Sequence, residues 1–134
     1  MQQQFSRTQD ALDPIFTFVD EFVAAKNLNE AIVFPIKLTI EELFTNLVRH
    51  NSGGKNHITI SLDSEDSKLI IQLKDFDVEP FDISKVDAVD TDKPLEERKI
   101  GGLGMHLVKS IVDKISYEYS DRTMCVTAIK NLEA

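Results

Sequence analysis

Glu42 and Asn46 stand four residues apart in a stretch whose apolar residues recur at helical spacing, which places a carboxylate and an amide on one helical face. Far along the chain, Gly101-Gly102-Leu103-Gly104-Met105-His106-Leu107-Val108 opens a second such stretch and offers bare backbone amides at a helix start. A carboxylate can take up a proton, an amide oxygen can ligate a hard cation, and helix-start amides can cradle phosphate. Together these groups point to nucleotide chemistry and, with the rest of the chain, to phosphoryl transfer to a protein.

On a helix turning about 100° per residue, Ile40, Leu43 and Leu47 fall within about 40° of Ile36, whereas Glu42, Asn46 and Arg49 cluster near about 220° to 280°. The polar face is therefore either the solvated side of an amphipathic helix or one wall of a cleft. In the second case the Asn46 carbonyl reaches Mg²⁺ and Glu42 accepts a proton from an attacking hydroxyl. One neutral ligand suffices, because Mg²⁺ commonly keeps several waters and takes its other oxygens from phosphates. Gly101, Gly102 and Gly104 remove side chains from the turn into the later helix, as a phosphate site, a hinge or close helix packing would each require. A P-loop is excluded because no Lys-Ser or Lys-Thr follows the last glycine, and a Rossmann turn because no strand leads directly into Gly101.

Asp75 ends a strand-like run, where its carboxylate can accept a hydrogen bond from the exocyclic amine of adenine or serve as an ordinary turn residue. Thr127, in the final strand-like run, either reaches the same base through a water or is simply a β-former. Arg98 and Lys99 precede the glycines, where either could meet a γ-phosphate, an acidic partner surface or only solvent. His50, His57 and His106 lack metal-ligand spacing and read as structural. No Ser-His-Asp or Cys-His constellation stands out.

Leu12, Ile15, Phe16, Val19, Phe22 and Val23 predict a helix over about residues 10–26. The helix that carries Glu42 runs to about His50, opening at Pro35 or kinked by Pro35 after a start near Asn29. Asn51-Ser52-Gly53-Gly54 supplies the residues for its end. Alternation over Ile58–Leu62 and Leu69–Leu73 around a turn at Asp63–Ser67 predicts a β-hairpin. Residues of about 76–100 have no sustained period and form a candidate lid. A third helix starts near Gly102 with Leu103, Leu107, Val108, Ile111 and Val112 inward, and Ile115–Tyr119 with Met124–Ile129 predicts a closing strand pair. This order predicts an α+β domain spanning residues 1–134, with helices on one face of a mixed or antiparallel sheet.

The 134 residues suffice for one core without staples, and Cys125, the only cysteine, reads as a small buried thiol in a strand. Fifteen basic against 23 acidic residues give a net charge of −8, which disfavours nucleic acid and anionic membrane as partners. No signal-like start and no run of ~20 apolar residues is visible, so a cytoplasmic protein is expected.

Ile40-Glu41-Glu42-Leu43-Phe44-Thr45-Asn46-Leu47-Val48-Arg49-His50 resembles the N-box of the ATPase superfamily of gyrase B, the MutL mismatch-repair proteins and histidine kinases, and more closely that of its small branch of bacterial anti-sigma-factor serine kinases. Pro80-Phe81-Asp82, Pro94-Leu95-Glu96-Glu97-Arg98 and the following glycines are similar to that branch's lid and second glycine box. Val126-Thr127-Ala128-Ile129-Lys130 resembles its closing strand, so the likeness covers nearly the whole chain. It implies a two-layer α/β sandwich of the Bergerat type that holds ATP and Mg²⁺. Glu42 would be the general base and Asn46 the magnesium ligand, with Asp75, Arg98, Gly101, Gly102, Leu103, Gly104, Met105 and Thr127 around the nucleotide. By the same likeness the substrate would be a small anti-sigma antagonist domain of STAS-like type, with a sigma factor and a second copy of the chain as further partners. One position departs from the pattern: Asp77 stands where the first glycine box has glycine, and its side chain would either crowd the adenine pocket or be accommodated by a shifted turn. That departure motivates an alternative, a non-catalytic module that sequesters a regulator with weak or no ATP binding.

Overall fold

The computed structural model describes residues 1–50, 56–78 and 100–132. Strand β1 (Gln2–Phe5) precedes helix α1 (Leu12–Ala25), which a 3₁₀ turn at Gln9–Ala11 leads into. Ile15, Phe18, Val19, Phe22 and Val23 form the buried stripe of α1, one face of a 3.6-residue period. The helix stops at Asn27, whose φ of 53° places it in the left-handed region that asparagine tolerates. There the amide of Leu28 donates to the Val23 carbonyl (3.0 Å) and that of Asn27 to Ala24 (3.2 Å), the paired bonds of a Schellman end.

The two openings considered for the second helix resolve into a short turn followed by the helix. The Asn29 side chain accepts from the Ala31 amide (2.9 Å) and caps a 3₁₀ turn over Glu30–Ile32, and α2 (Val33–His50) begins directly after it. Pro35 thus lies in the first turn, where a missing N–H leaves no helical bond unmade, and it neither starts nor kinks the helix. The expected end at residues 51–54 lies outside the described residues.

Strands β2 (Ile58–Glu65) and β3 (Lys68–Phe76) extend further than the alternation predicts and meet at Asp66 and Ser67, both with positive φ as a two-residue hairpin turn requires. Helix α3 (Ile100–Ile111) is followed by β4 (Lys114–Ser120) and β5 (Thr123–Asn131), joined in the same way through Asp121 and Arg122. The five strands form one sheet in the order β1-β2-β3-β5-β4, and every pairing is antiparallel, the second of the two sheet types expected. Ile58, Ile60 and Leu62, Leu69, Ile71 and Leu73, and Met124, Val126 and Ala128 share the buried face of the sheet and join the apolar stripes of the helices in one core. The fold is thus a two-layer α+β sandwich.

Strand β1 has no counterpart among the sequence-based expectations, because Gln2-Gln3-Gln4 carries neither β-branched residues nor alternation. It forms because β2 offers it an edge. Gln2 pairs with Ser61 and Phe5 with Ile58, and the amide of Leu62 donates to the Met1 carbonyl (2.8 Å). Phe5 is buried edge-on against Phe18, with ring centroids 5.6 Å apart, so the strand is anchored to the core at its last residue.

Candidate active site

Asp75 is the next-to-last residue of β3, on the buried face of the sheet, between cross-strand neighbours Ile58 on β2 and Met124 on β5. Its side chain is 0% exposed, and a lone carboxylate among apolar neighbours would carry a large desolvation cost. Arg7, which follows β1, supplies the compensating charge: its Nη1 donates to Asp75 Oδ1 and its Nη2 to the Leu47 carbonyl of α2 at 3.3 Å. The guanidinium is itself only 8% exposed. Sequence reasoning missed Arg7. Its one signal is isolation, since no other basic residue occurs before Lys26.

The chain leaves β3 through Asp77, whose φ is 56°. A glycine adopts this left-handed geometry freely, and aspartate is among the few other residues that visit it readily. The Asp77 carboxylate is 70% exposed and accepts from Arg122 Nε at 2.8 Å, so it points away from the buried face that carries Asp75. The turn is also tied to the β4–β5 hairpin, where the Val78 amide donates to the Arg122 carbonyl (2.9 Å) and Tyr119 Oη donates to the Val78 carbonyl (2.6 Å). Of the two outcomes considered for this position, the accommodated turn is the one the chain adopts.

On α2, Asn46 is fully buried, which excludes a plain solvated face. Arg49, one turn on, donates from Nη2 to Asn46 Oδ1. Glu42, one turn before, is half-buried; burial pushes its carboxyl above the ordinary range, the neighbouring charge of Glu41 adds to this, and Arg49 opposes it. Glu42 and Arg49 line a cavity of about 300 Å³ closed on its far side by Thr8, Gln9 and Leu12. Glu42 therefore faces a recess, whereas Asn46 and Asp75 are not among the residues that line it. A carboxylate held above its usual pKa is a stronger base once ionised, which suits proton abstraction from a hydroxyl.

The backbone of Gly101, Gly102, Leu103, Gly104 and Met105 is helical and falls in the first half of α3, whose first turn leaves helix-start amides for a ligand. Helix α3 packs on α2 and buries Val108 and Val112, with Ile111 partly covered. Leu107, expected inward, is 52% exposed, since it sits about 100° around the helix from Val108. Arg98, Lys99, Pro80-Phe81-Asp82 and nearly all of the candidate lid lie outside the described residues.

Thr127 is not brought to the base site. Asp75 faces Met124, and strand alternation puts Thr127, three residues further along β5, on the opposite face of the sheet. There its hydroxyl accepts from Gln72 Nε2 at 3.2 Å. Met124, buried beside Asp75, takes the inward place that Thr127 was expected to fill.

The remaining donors fit a nucleotide carried with its metal. Among the described residues no group of three His, Cys, Asp or Glu side chains could cage a cation unaided. The buried amide oxygen of Asn46, which also accepts from Arg49, is of the type that suits a hard cation bringing most of its own oxygens. Asn46 would hold Mg²⁺ and Asp75 the base.

The sequence profile of the family described as the histidine kinase-like ATPase domain matches residues 5–130. The chain is 32% identical over 84 residues to the serine-protein kinase RsbW of Halalkalibacterium halodurans, covering 60% of this chain and 51% of that protein. It is 31% identical over 99 residues to a serine-protein kinase RsbW of Staphylococcus aureus, covering 68% and 62%. The chain thus spans little more than half the length of the curated relatives it matches. Among solved structures it is similar in fold to a chain of the SiaB–SiaC complex from Pseudomonas aeruginosa, with a TM-score of 0.63 and 12% identity over 96% of this chain and 88% of that one.

Proposed function

From a chain that belongs to the histidine kinase-like ATPase domain family, we propose an ATP- and Mg²⁺-dependent protein serine/threonine kinase of the anti-sigma-factor type. The observation that carries this reading is the α2 face: a half-buried Glu42 with a raised pKa, a fully buried Asn46 one turn on, and a recess in front of Glu42. The names of the curated relatives, both serine-protein kinases, support it. Its substrate is a small anti-sigma antagonist domain of STAS-like type that presents a serine or threonine hydroxyl. A sigma factor and a second copy of the chain are further partners, and the cytoplasm is its compartment. No helix of the described residues is long and apolar enough to cross a membrane.

When bound, Mg²⁺ neutralises charge on the phosphates and orients them for in-line attack. Glu42 would orient the acceptor hydroxyl and take its proton as the oxygen bonds to the γ-phosphorus and the bond to the β-phosphate oxygen breaks, releasing ADP. Asn46 would hold the metal, and Asp75 would hold the base. The amides of Gly101, Gly102 and Leu103 would offset charge developing on the phosphoryl group, with Arg98 as a further positive charge.

Incubation with labelled ATP, Mg²⁺ and a small STAS-like antagonist domain from the same organism tests the proposal. The wild-type protein is expected to label that domain, and Glu42→Gln to label it about 10²–10⁴ times more slowly while still binding ATP. Equal labelling by both proteins removes Glu42 as the base.

A further inference from the structure

Arg7 and Asp75 form an ion pair within the core, and Arg7 lies 68 residues away in sequence, just after an edge strand that sequence reasoning left unassigned. The pair sits where β1 and β2 adjoin β3, beneath α2, while α3 with its glycines also packs on α2 and leads into β4, at the opposite edge of the same sheet. The guanidinium thus reaches Asp75 from the β1 edge of the sheet, while β5 and β4 flank Asp75 on its opposite side. A carboxylate has about four lone-pair sites, so it can accept from both a guanidinium and a base amine.

We infer that Arg7 is a positioning residue that sets purine specificity by keeping Asp75 ionised and oriented. The inference rests on the reading of Asp75 as the adenine acceptor. An ionised carboxylate only accepts hydrogen bonds, so it welcomes the exocyclic amine of adenine and repels the O6 of guanine. Without Arg7 the same carboxyl, buried beside Ile58 and Met124, is driven toward its neutral form by desolvation. A neutral carboxyl carries an O–H and can donate to the guanine O6. Arg7 also ties this preference to the N-terminal strand, because its second nitrogen holds the Leu47 carbonyl of α2.

The test compares the affinities of ATP and GTP, each with Mg²⁺, for the wild-type protein, Arg7→Gln and Arg7→Lys. The ATP:GTP ratio is expected to fall about tenfold or more in Arg7→Gln and to stay within about threefold of wild type in Arg7→Lys, which keeps the charge. If both affinities fall together in Arg7→Gln with the ratio unchanged, Arg7 is only structural and the inference is overturned. Should Arg7→Gln fail to fold, a crystal structure of the wild-type protein with ATP decides: the guanidinium stays on Asp75 Oδ1 if the inference holds, and a guanidinium displaced by the base overturns it. A wild-type protein that binds neither nucleotide overturns the adenine-site reading and this inference together, whereas a discriminating wild type with an equally discriminating Arg7→Gln overturns the inference alone.

Discussion

Replacing Asp75 with asparagine changes one atom of a fully buried side chain, and Arg7 makes the consequence calculable. The guanidinium only donates, so the amide of Asn at position 75 must turn its oxygen toward Arg7 and present its NH₂ where the carboxylate presented an acceptor. The adenine amine then meets a donor. A hydrogen bond to a charged acceptor contributes about 1.5–3 kcal/mol, so its loss weakens ATP binding by about 10- to 150-fold. GTP, whose O6 can accept from the new NH₂, should weaken less or bind more tightly. Stability falls too, because breaking a buried ion pair from one side costs about 3–5 kcal/mol, reduced here by the amide's continued bond to Arg7. Against a total of about 5–15 kcal/mol the variant is expected to remain folded, with a lower melting temperature. Calorimetric titration with Mg²⁺-ATP and Mg²⁺-GTP, beside a thermal melt, measures all three quantities. An ATP affinity within about twofold of wild type in a folded Asp75→Asn protein would refute the base-site reasoning, since that geometry leaves no route to an unchanged interaction.

Asn46→Ala should abolish the difference between ATP affinities measured with Mg²⁺ and with a chelator, and should lower stability by about 1–3 kcal/mol, because Arg49 loses its acceptor; a metal dependence that survives would reassign the ligand. The phosphotransfer rate should rise with pH through the elevated pKa of Glu42, because only the ionised form accepts a proton. For stability the sign is opposite. A carboxyl whose folded-state pKa is raised above its ordinary 4.5 contributes stability that is complete below that value and is lost as pH rises through the folded one. Glu42→Gln should therefore melt at or above the wild-type temperature at pH 7, and a markedly lower melt would assign Glu42 a structural role as well. Asp77→Gly should leave ATP affinity unchanged and preserve or slightly raise stability, whereas Asp77→Val should cost about 1–2 kcal/mol in urea unfolding, the cost of forcing a β-branched residue to a φ of 56°.

What was legible in the sequence follows from how strongly each segment's period is marked. The helical stripe of α2 alternates with a polar face, so Glu42, Asn46 and Arg49 are grouped before any coordinates exist. In β3 the alternation is equally clear, with Leu69, Ile71 and Leu73 on one side and Gln72 and Lys74 on the other, which puts Asp75 inward by parity. In β5 both parities are apolar or nearly so: Met124, Val126 and Ala128 on one, Cys125, Thr127 and Ile129 on the other. The sequence cannot say which set faces the helices, so a place in the last strand and the family likeness together drew Thr127 to the base. Only the register with β3, which sets Met124 opposite Asp75, decides the question. Leu107 failed differently, since an apolar stripe of α3 wide enough to include it exceeds what α2 and the sheet cover.

The charges that shape the site share a further property that hides them from any local reading. Asp75 is paired with Arg7 and Asp77 with Arg122, across 68 and 45 residues respectively. No period, cap or turn rule links such residues, because the pairing exists only after β1 has joined the sheet edge and the β4–β5 hairpin has folded beside the end of β3. The burial of Asp75 nevertheless implies a partner: a carboxylate on the inward face of a strand needs a cation, and the first arginine of an otherwise uncharged N-terminal segment was the candidate. Reading an inward-facing acid as a demand for a distant base, rather than as a site residue complete in itself, would have found Arg7 from the sequence.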